Sequence, residues 1–332
     1  MKPKILFVTT DYSYFTKPII HALKGQFEVS VFDYYKPTFF SRLDGWLVNH
    51  HLLSKKPTQD VDSKINSALL SKVNNLRPEY LLVIKGTPIS NKTIRSIRKL
   101  GTITINWFPD WLVVWPWIKQ HAKSYDLFIN SCFDTHKKMQ GKKMQSYYLP
   151  FAVEPGFSPQ DSCLYPITFI GQHSPRREKY FSAIADLGLC IWGYANWAQS
   201  SLKHVYKGHA SVNETPKILR DSCLIVNVLT GTDQFQPASV NVRTFEALGA
   251  GRLLLVKYHP ILKKHFSIHS ELVTFTTPAD LRRKTKFFLS HPTQREKIAK
   301  AGYNRILRDH TFVTRLAQLF DLVRKYESQK KS

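Results

Sequence analysis

The chain has 332 residues, long for one domain and comfortable for two. Hydrophobic residues make up 43% and charged residues 22%, a globular composition that excludes a disordered or fibrous chain. The net charge is +24, with 22 Lys/Arg against 10 Asp/Glu in residues 1–150 and 26 against 14 in the rest, so the excess is spread over both halves and is no basic tail.

Along the chain, short apolar runs alternate with helical patterns. The opening Met1-Lys2-Pro3-Lys4 and the run Ile5 to Val8 are too short for a signal peptide, and no stretch approaches the ~20 apolar residues of a membrane span. Residues 5–9, 29–32, 80–84, 102–106, 127–130 and 146–149 read as strands, with helices at 16–23, 62–75, 91–100 and 134–139. Residues 35–60 give no clear pattern; Phe39, Phe40, Trp46 and Leu47 suggest an embellishment near a cleft. Three prolines and a glycine between Pro150 and Pro159 mark a linker. The alternation then restarts: strands at 167–171, 190–192, 224–228, 253–256 and 272–275, helices at 176–187, 214–222, 278–289, 292–309 and 312–326. This order predicts an α/β protein of two doubly wound parallel sheets facing across a cleft, with ligands at the carboxyl ends of the strands.

The four cysteines, at 132, 163, 190 and 223, form no C-x-x-C pair and lie in or beside apolar strands. They read as reduced core cysteines, which points to the cytoplasm. His and Cys never cluster at ligand spacing, so no metal site is expected. The basic excess suits nucleic acid, an anionic membrane face or anionic substrates. No nucleic-acid-binding motif is present, so nucleic acid is the least favoured of the three. Any membrane contact would be peripheral, at an anionic face.

Candidate chemistry sits in loops after strands. Thr9-Thr10-Asp11-Tyr12-Ser13 has no glycine, so the G-x-G-x-x-G dinucleotide fingerprint is absent, as are the P-loop and the G-x-S-x-G elbow. Asp110, in Trp107-Phe108-Pro109-Asp110-Trp111, is a carboxylate among aromatics, with Trp115 and Trp117 close behind. It reads either as a general base toward a hydroxyl or as the N-cap of the next helix. Some of this aromatic surface is expected to line a pocket. In Gly171-Gln172-His173-Ser174-Pro175-Arg176-Arg177, Gly171 permits close backbone approach, Ser174 is a cap type and Arg177 suits a phosphate. Tyr194, after Cys190-Ile191-Trp192-Gly193, either stacks on a base or packs in the core. The densest signal is Ser239 to Gly251, read as loop, short helix and glycine turn. Asn241 is a cap type, and Arg243 and Glu246 share one helix face. A helix start lined by Asn and Arg suits a phosphate, and a carboxylate one turn on suits a ribose. An ordinary αβ unit with a surface salt bridge fits the same residues.

Together these blocks resemble the CgeB-like, spore-maturation-type glycosyltransferases. The resemblance rests on residues 77–86 followed by Thr104 to Asp110, on Tyr125-Asp126-Leu127-Phe128, and on Ile167 to Arg177. It rests also on Asn227 with Asn241-x-Arg243-x-x-Glu246-Ala247, and on His310-Thr311-Phe312-x-x-Arg315, where Phe replaces the family's Tyr. It implies a GT-B fold: an acceptor-side domain over 1–152, a nucleotide-sugar-binding domain over 153–310, and a helix over 311–332 crossing back. It implies a metal-independent transfer, hexosyl transfer first, from a nucleotide-sugar with UDP-sugars favoured, to an acceptor that is a saccharide, lipid or protein. The donor would be held by Gly171, Ser174, Arg177, Tyr194, Asn241, Arg243 and Glu246, with Glu246 on the ribose. Arg177 would neutralise the leaving diphosphate and Asp110 would act as base; no separate cofactor is implied. Many retaining enzymes of the GT-B fold carry two glutamates eight positions apart, and the position eight before Glu246 is Ala238, so the stereochemical course does not carry over. A non-catalytic nucleotide- or sugar-binding protein is the alternative from another class.

Overall fold

The computed structural model describes residues 1–9, 15–34, 58–110, 114–155, 163–229 and 238–331. Thr10 to Ser13, the aromatics of residues 35–57, Trp111 and residues 156–159 of the proline linker lie outside the described residues. The chain divides into two compact units, Met1–Leu149 with Leu322–Ser332, and Pro150–Asp321.

The first unit is built on six parallel strands, β1 (Lys4–Thr9), β2 (Glu28–Asp33), β3 (Tyr80–Ile84), β4 (Ile103–Phe108), β5 (Leu127–Asn130) and β6 (Tyr147–Tyr148). Their order in the sheet is β2-β1-β3-β4-β5-β6. Strands buried on both faces need near-continuous apolar runs, and β1 and β3 supply them: Ile5 to Val8 and Leu81 to Val83 are fully buried. Helices α1 (Thr16–Lys24), α2 (Thr58–Leu76), α3 (Asn91–Lys99), α4 (Trp115–His121) and α5 (Phe133–Gly141) connect them. Ser90 caps α3 through a hydrogen bond from Thr93 N. Helix α4 was anticipated only through the alternative that Asp110 caps a following helix; Pro116 at its start fixes a helical φ that periodicity alone does not show.

The second unit carries five parallel strands, β7 (Tyr165–Ile170), β8 (Leu189–Trp192), β9 (Ser222–Asn227), β10 (Leu253–Lys257) and β11 (Val273–Phe275), in the order β11-β10-β9-β7-β8. Its helices are α6 (Pro175–Phe181), α7 (Thr215–Arg220), α8 (Val242–Gly249), α9 (Pro278–Ser290) and α10 (Pro292–Asp309). The single helix expected over 176–187 is instead α6 followed by a 3₁₀ segment, Ser182–Leu187, ended by Gly188 at φ +85°. Helix α11 (Phe312–Lys331) closes the chain, and its residues from Leu322 onward belong to the first unit. There Tyr326 donates to Asp126 Oδ1 at 2.7 Å and Tyr80 donates to Glu327 at 3.1 Å.

The expectation of four reduced cysteines is corrected: Cys163 and Cys223 form a disulfide, while Cys132 and Cys190 are free. Tyr165 pairs with Ser222 across β7 and β9, which sets the two cysteines beside each other despite 60 residues of separation. The inference of compartment from four thiols falls with it. Among the described residues no helix is long and apolar enough to cross a membrane.

Candidate functional site

In the second unit the sheet order reverses direction between β7 and β9, since β8 lies outside β7 and β10 outside β9. Loops leaving the two strands diverge there, opening a crevice at their carboxyl ends. Gly171 follows β7, and Ser174 caps α6 by accepting from Arg177 N at 3.2 Å. The chain crowds at Gly171: its carbonyl accepts from Trp197 Nε1 at 2.9 Å, and a Cβ on Gly193 would overlap that carbonyl and press on the Trp197 ring. Both glycines are thus required by close approach.

Arg177 spans the reversal point. Its Nη1 donates to Gln172 O at 2.8 Å, and its Nε and Nη2 both donate to Val228 O, at 3.2 and 3.1 Å. The guanidinium lies 5.1 Å from the Phe169 ring centroid. It has no carboxylate partner among the described residues. Burial, with the like charges of Arg176 and Arg243, pushes its pKa down to about 10. A partly desolvated cation without a carboxylate partner favours an incoming anion.

The third element is the start of α8. Asn241 Oδ1 caps it, accepting from Thr244 N at 3.2 Å and Thr244 Oγ1 at 3.0 Å. Wholly buried Asn227, at the end of β9, fixes this cap by donating to Asn241 Oδ1 at 2.9 Å. Asn241 Oδ1 is therefore consumed inside the protein, which leaves the backbone start of α8 to face a ligand. Arg243 Nη1 is 2.7 Å from Glu246 Oε2, with the side chains 16% and 13% exposed. The pair is close but not aligned as a hydrogen bond: Arg243 Nε and Nη1 and Glu246 Oε2 have no hydrogen-bond partner among the described residues, nor has Asn227 Oδ1. Burial raises the Glu246 pKa, partly opposed by Arg243. Such a cluster of buried, unsatisfied polar atoms is uncommon and marks a place for a polar ligand.

Tyr194 is 55% exposed, which excludes core packing; its ring meets His209 edge-on at 5.8 Å. Sequence reasoning passed over a neighbouring arrangement. His173 Nε2 lies 2.6 Å from Glu178 Oε2, while Glu178 Oε1 accepts from the backbone and hydroxyl of Ser201. These hydrogen bonds, Ser201 first and then His173, hold the Glu178 carboxyl down to about 2. Ser201 lies 23 residues downstream, so no local pattern announces the contact.

The His310-Thr311-Phe312-x-x-Arg315 segment also acquires a physical role. Arg315 Nη2 is 2.7 Å from His310 Nδ1. A guanidinium can only donate, so Nδ1 accepts and the imidazole is neutral with its proton on Nε2, facing His265 O at 3.3 Å. Burial and then the Arg315 charge push His310 down to about 4; burial and then His310 push His265 down to about 3.

In the first unit, Asp110 follows β4. The helix it was expected to cap begins at Trp115 with Val114 in the capping position, so Asp110 is not its cap. Its Oδ2 lies 2.9 Å from Lys85 Nζ, with the side chains 32% and 44% exposed. Lys85 follows β3 and has φ +62°, a left-handed conformation held by Asn106 Nδ2 donating to its carbonyl at 3.1 Å. Trp107, expected near a pocket, is wholly buried and donates to Leu149 O at 3.0 Å. Trp115 and Trp117 pack on the core. Among the described residues no three His, Cys, Asp or Glu gather as metal ligands.

Comparison with known proteins bears on the fold. Residues 176–321, fewer than half of the chain, match the model of a family described as Glycosyl transferase-like. No curated protein matches the chain in sequence. Sucrose-phosphate synthase from Thermosynechococcus elongatus superposes with a TM-score of 0.71 at 10% identity, over 99% of this chain and 100% of that one. HepE from Anabaena, solved with UDP-glucose, gives 0.65 at 10% identity over 97% and 99%. A glycosyltransferase from Rickettsia africae gives 0.65 at 11% identity over 98% of each chain. The two parallel-sheet units and these likenesses together assign the chain a GT-B fold.

Proposed function

We propose that the chain is a glycosyltransferase that takes its sugar from a nucleotide-diphosphate donor, a hexosyltransferase of the CgeB-like group using UDP-sugars first. The observation that carries this reading is Arg177, a partly buried cation without a carboxylate partner among the described residues, at the β7–β9 reversal point. A diphosphate supplies that charge, and the start of α8 supplies backbone N–H groups beside it. Glu246, one turn into α8, then accepts from a ribose hydroxyl, and Tyr194 offers an exposed ring to the base. Support comes from the family match, whose residues 176–321 include Arg177, Tyr194, Asn241, Arg243 and Glu246. HepE, solved with UDP-glucose and with UDP, shares the fold.

In the reaction, Arg177 with Arg243 neutralises the charge that grows on the leaving diphosphate, so that positive side chains do the work a metal does elsewhere. Gly171 and Ser174 set the loop that brings Arg177 to this place. If the transfer inverts, Asp110 takes the acceptor proton. Lys85 Nζ lies 2.9 Å from its carboxylate. A donor-hydrolysis assay with UDP-, GDP- and dTDP-sugars tests the reading. Release of a nucleoside diphosphate from one donor class supports it; binding without release in every class indicates a non-catalytic binding protein.

A further inference from the structure

The basic excess of the first unit is not uniform. From Trp115 to Leu149 the sequence contains six lysines, no arginine and two acids, Asp126 and Asp134. Asp126 is buried and tied to Arg98 at 2.9 Å. Lys119, Lys123, Lys137, Lys138, Lys142 and Lys143 are all exposed, and none forms an ion pair among the described residues. Helices α4 and α5 meet at one of them: Lys138 Nζ sits 4.5 Å over the Trp115 ring. On α4, Trp115 and Lys119 are one turn apart on the same face. Lys137 and Lys138 occupy the exposed side of α5, and Lys142 and Lys143 follow its end.

We propose that this lysine face docks the protein on an anionic lipid surface. The all-lysine composition decides against nucleic acid. Directed phosphate recognition favours the planar fork of arginine, whereas an ammonium is a hydrated point charge that serves diffuse attraction to a charged plane. The Lys138 ammonium over the Trp115 ring also suits the lipid–water boundary, where both residue types place an apolar body below a polar tip. The proposal stands independently of the transferase reading, because it uses none of the donor-site residues.

The test is sedimentation of the full chain with phosphatidylcholine vesicles, with and without phosphatidylserine. Each juxtamembrane lysine contributes roughly 1 kcal/mol of attraction, so the quadruple variant Lys137→Gln, Lys138→Gln, Lys142→Gln, Lys143→Gln should lower binding to anionic vesicles by at least about 100-fold. A control that removes the same charge from exposed positions of the second unit, Lys203→Gln, Lys286→Gln, Lys297→Gln, Lys300→Gln, should change it by less than about 5-fold. Equal losses in the two variants, or equal binding to neutral and anionic vesicles, would overturn the proposal. So would tighter binding to a single-stranded DNA oligomer than to vesicles, abolished by the same four substitutions.

Discussion

Replacing Arg177 with Met separates a residue kept for binding from one kept for folding. Its pKa is pushed below the ordinary guanidinium value, to about 10, by burial and by Arg176 and Arg243. At about 1.4 kcal/mol per unit, the folded protein disfavours this charge by on the order of 3 kcal/mol. Against that stand three hydrogen bonds to the carbonyls of Gln172 and Val228, worth about 1 kcal/mol each. The terms nearly cancel, so Arg177→Met should alter the unfolding free energy by no more than about 1–2 kcal/mol, in either direction. Affinity should respond far more. Losing charge-assisted hydrogen bonds to a diphosphate costs about 1.5–3 kcal/mol, or about 10- to 100-fold in Kd. Calorimetric titration with UDP reads the affinity and urea unfolding reads the stability. Arg177→Lys should recover only part of the affinity, because it keeps the charge and loses the fork. A Met variant with unchanged UDP affinity and a stability loss above about 3 kcal/mol would refute the reasoning and make Arg177 a structural strut.

Asp110→Asn should lower turnover by about 100-fold or more while leaving UDP affinity unchanged. The half-exposed pair with Lys85 contributes at most about 1 kcal/mol, so the fold should persist; near-normal turnover would remove Asp110 as base. Gly193→Ala forces a Cβ against Gly171 O and the Trp197 ring, and should destabilise the protein by about 1–3 kcal/mol in urea unfolding. Acid should weaken the fold through the buried histidines. Their folded pKa values, about 4 for His310 and about 3 for His265, lie below the ordinary 6.5, so the unfolded chain binds more protons as pH falls through this range. Stability is fully present above pH 6.5 and falls toward pH 4, by on the order of 3 kcal/mol for His310 alone. His310→Gln should flatten that slope in unfolding curves taken between pH 7 and pH 4; an unchanged slope would show that other groups cause the acid loss.

Most of the fold was legible in the sequence because its signals are local. Buried parallel strands must be apolar throughout, and runs such as Leu81 to Ile84 and Leu253 to Val256 can be little else. Ser174 and Asn241 announced helix starts through their own short side chains. What stayed hidden was set by contacts between distant residues. The Cys163–Cys223 disulfide depends on the β7–β9 register, and the Lys85–Asp110 pair on β3 lying beside β4. Trp107 was misplaced for the same reason. An aromatic run looks alike whether it faces a pocket or the core, and only the sheet decides which side Trp107 takes. Nor did the sequence show that Asn227, fourteen positions earlier, donates to the Asn241 side-chain oxygen.

The central claim is that UDP and its sugars bind at the carboxyl ends of β7 and β9. Backbone hydrogen exchange of the whole chain, with and without UDP, tests it most directly. The account predicts slowed exchange in residues 171–177 and 241–246, lost in the Arg177→Met variant. Protection confined to the first unit, or no protection in these two segments at saturating UDP, would contradict it.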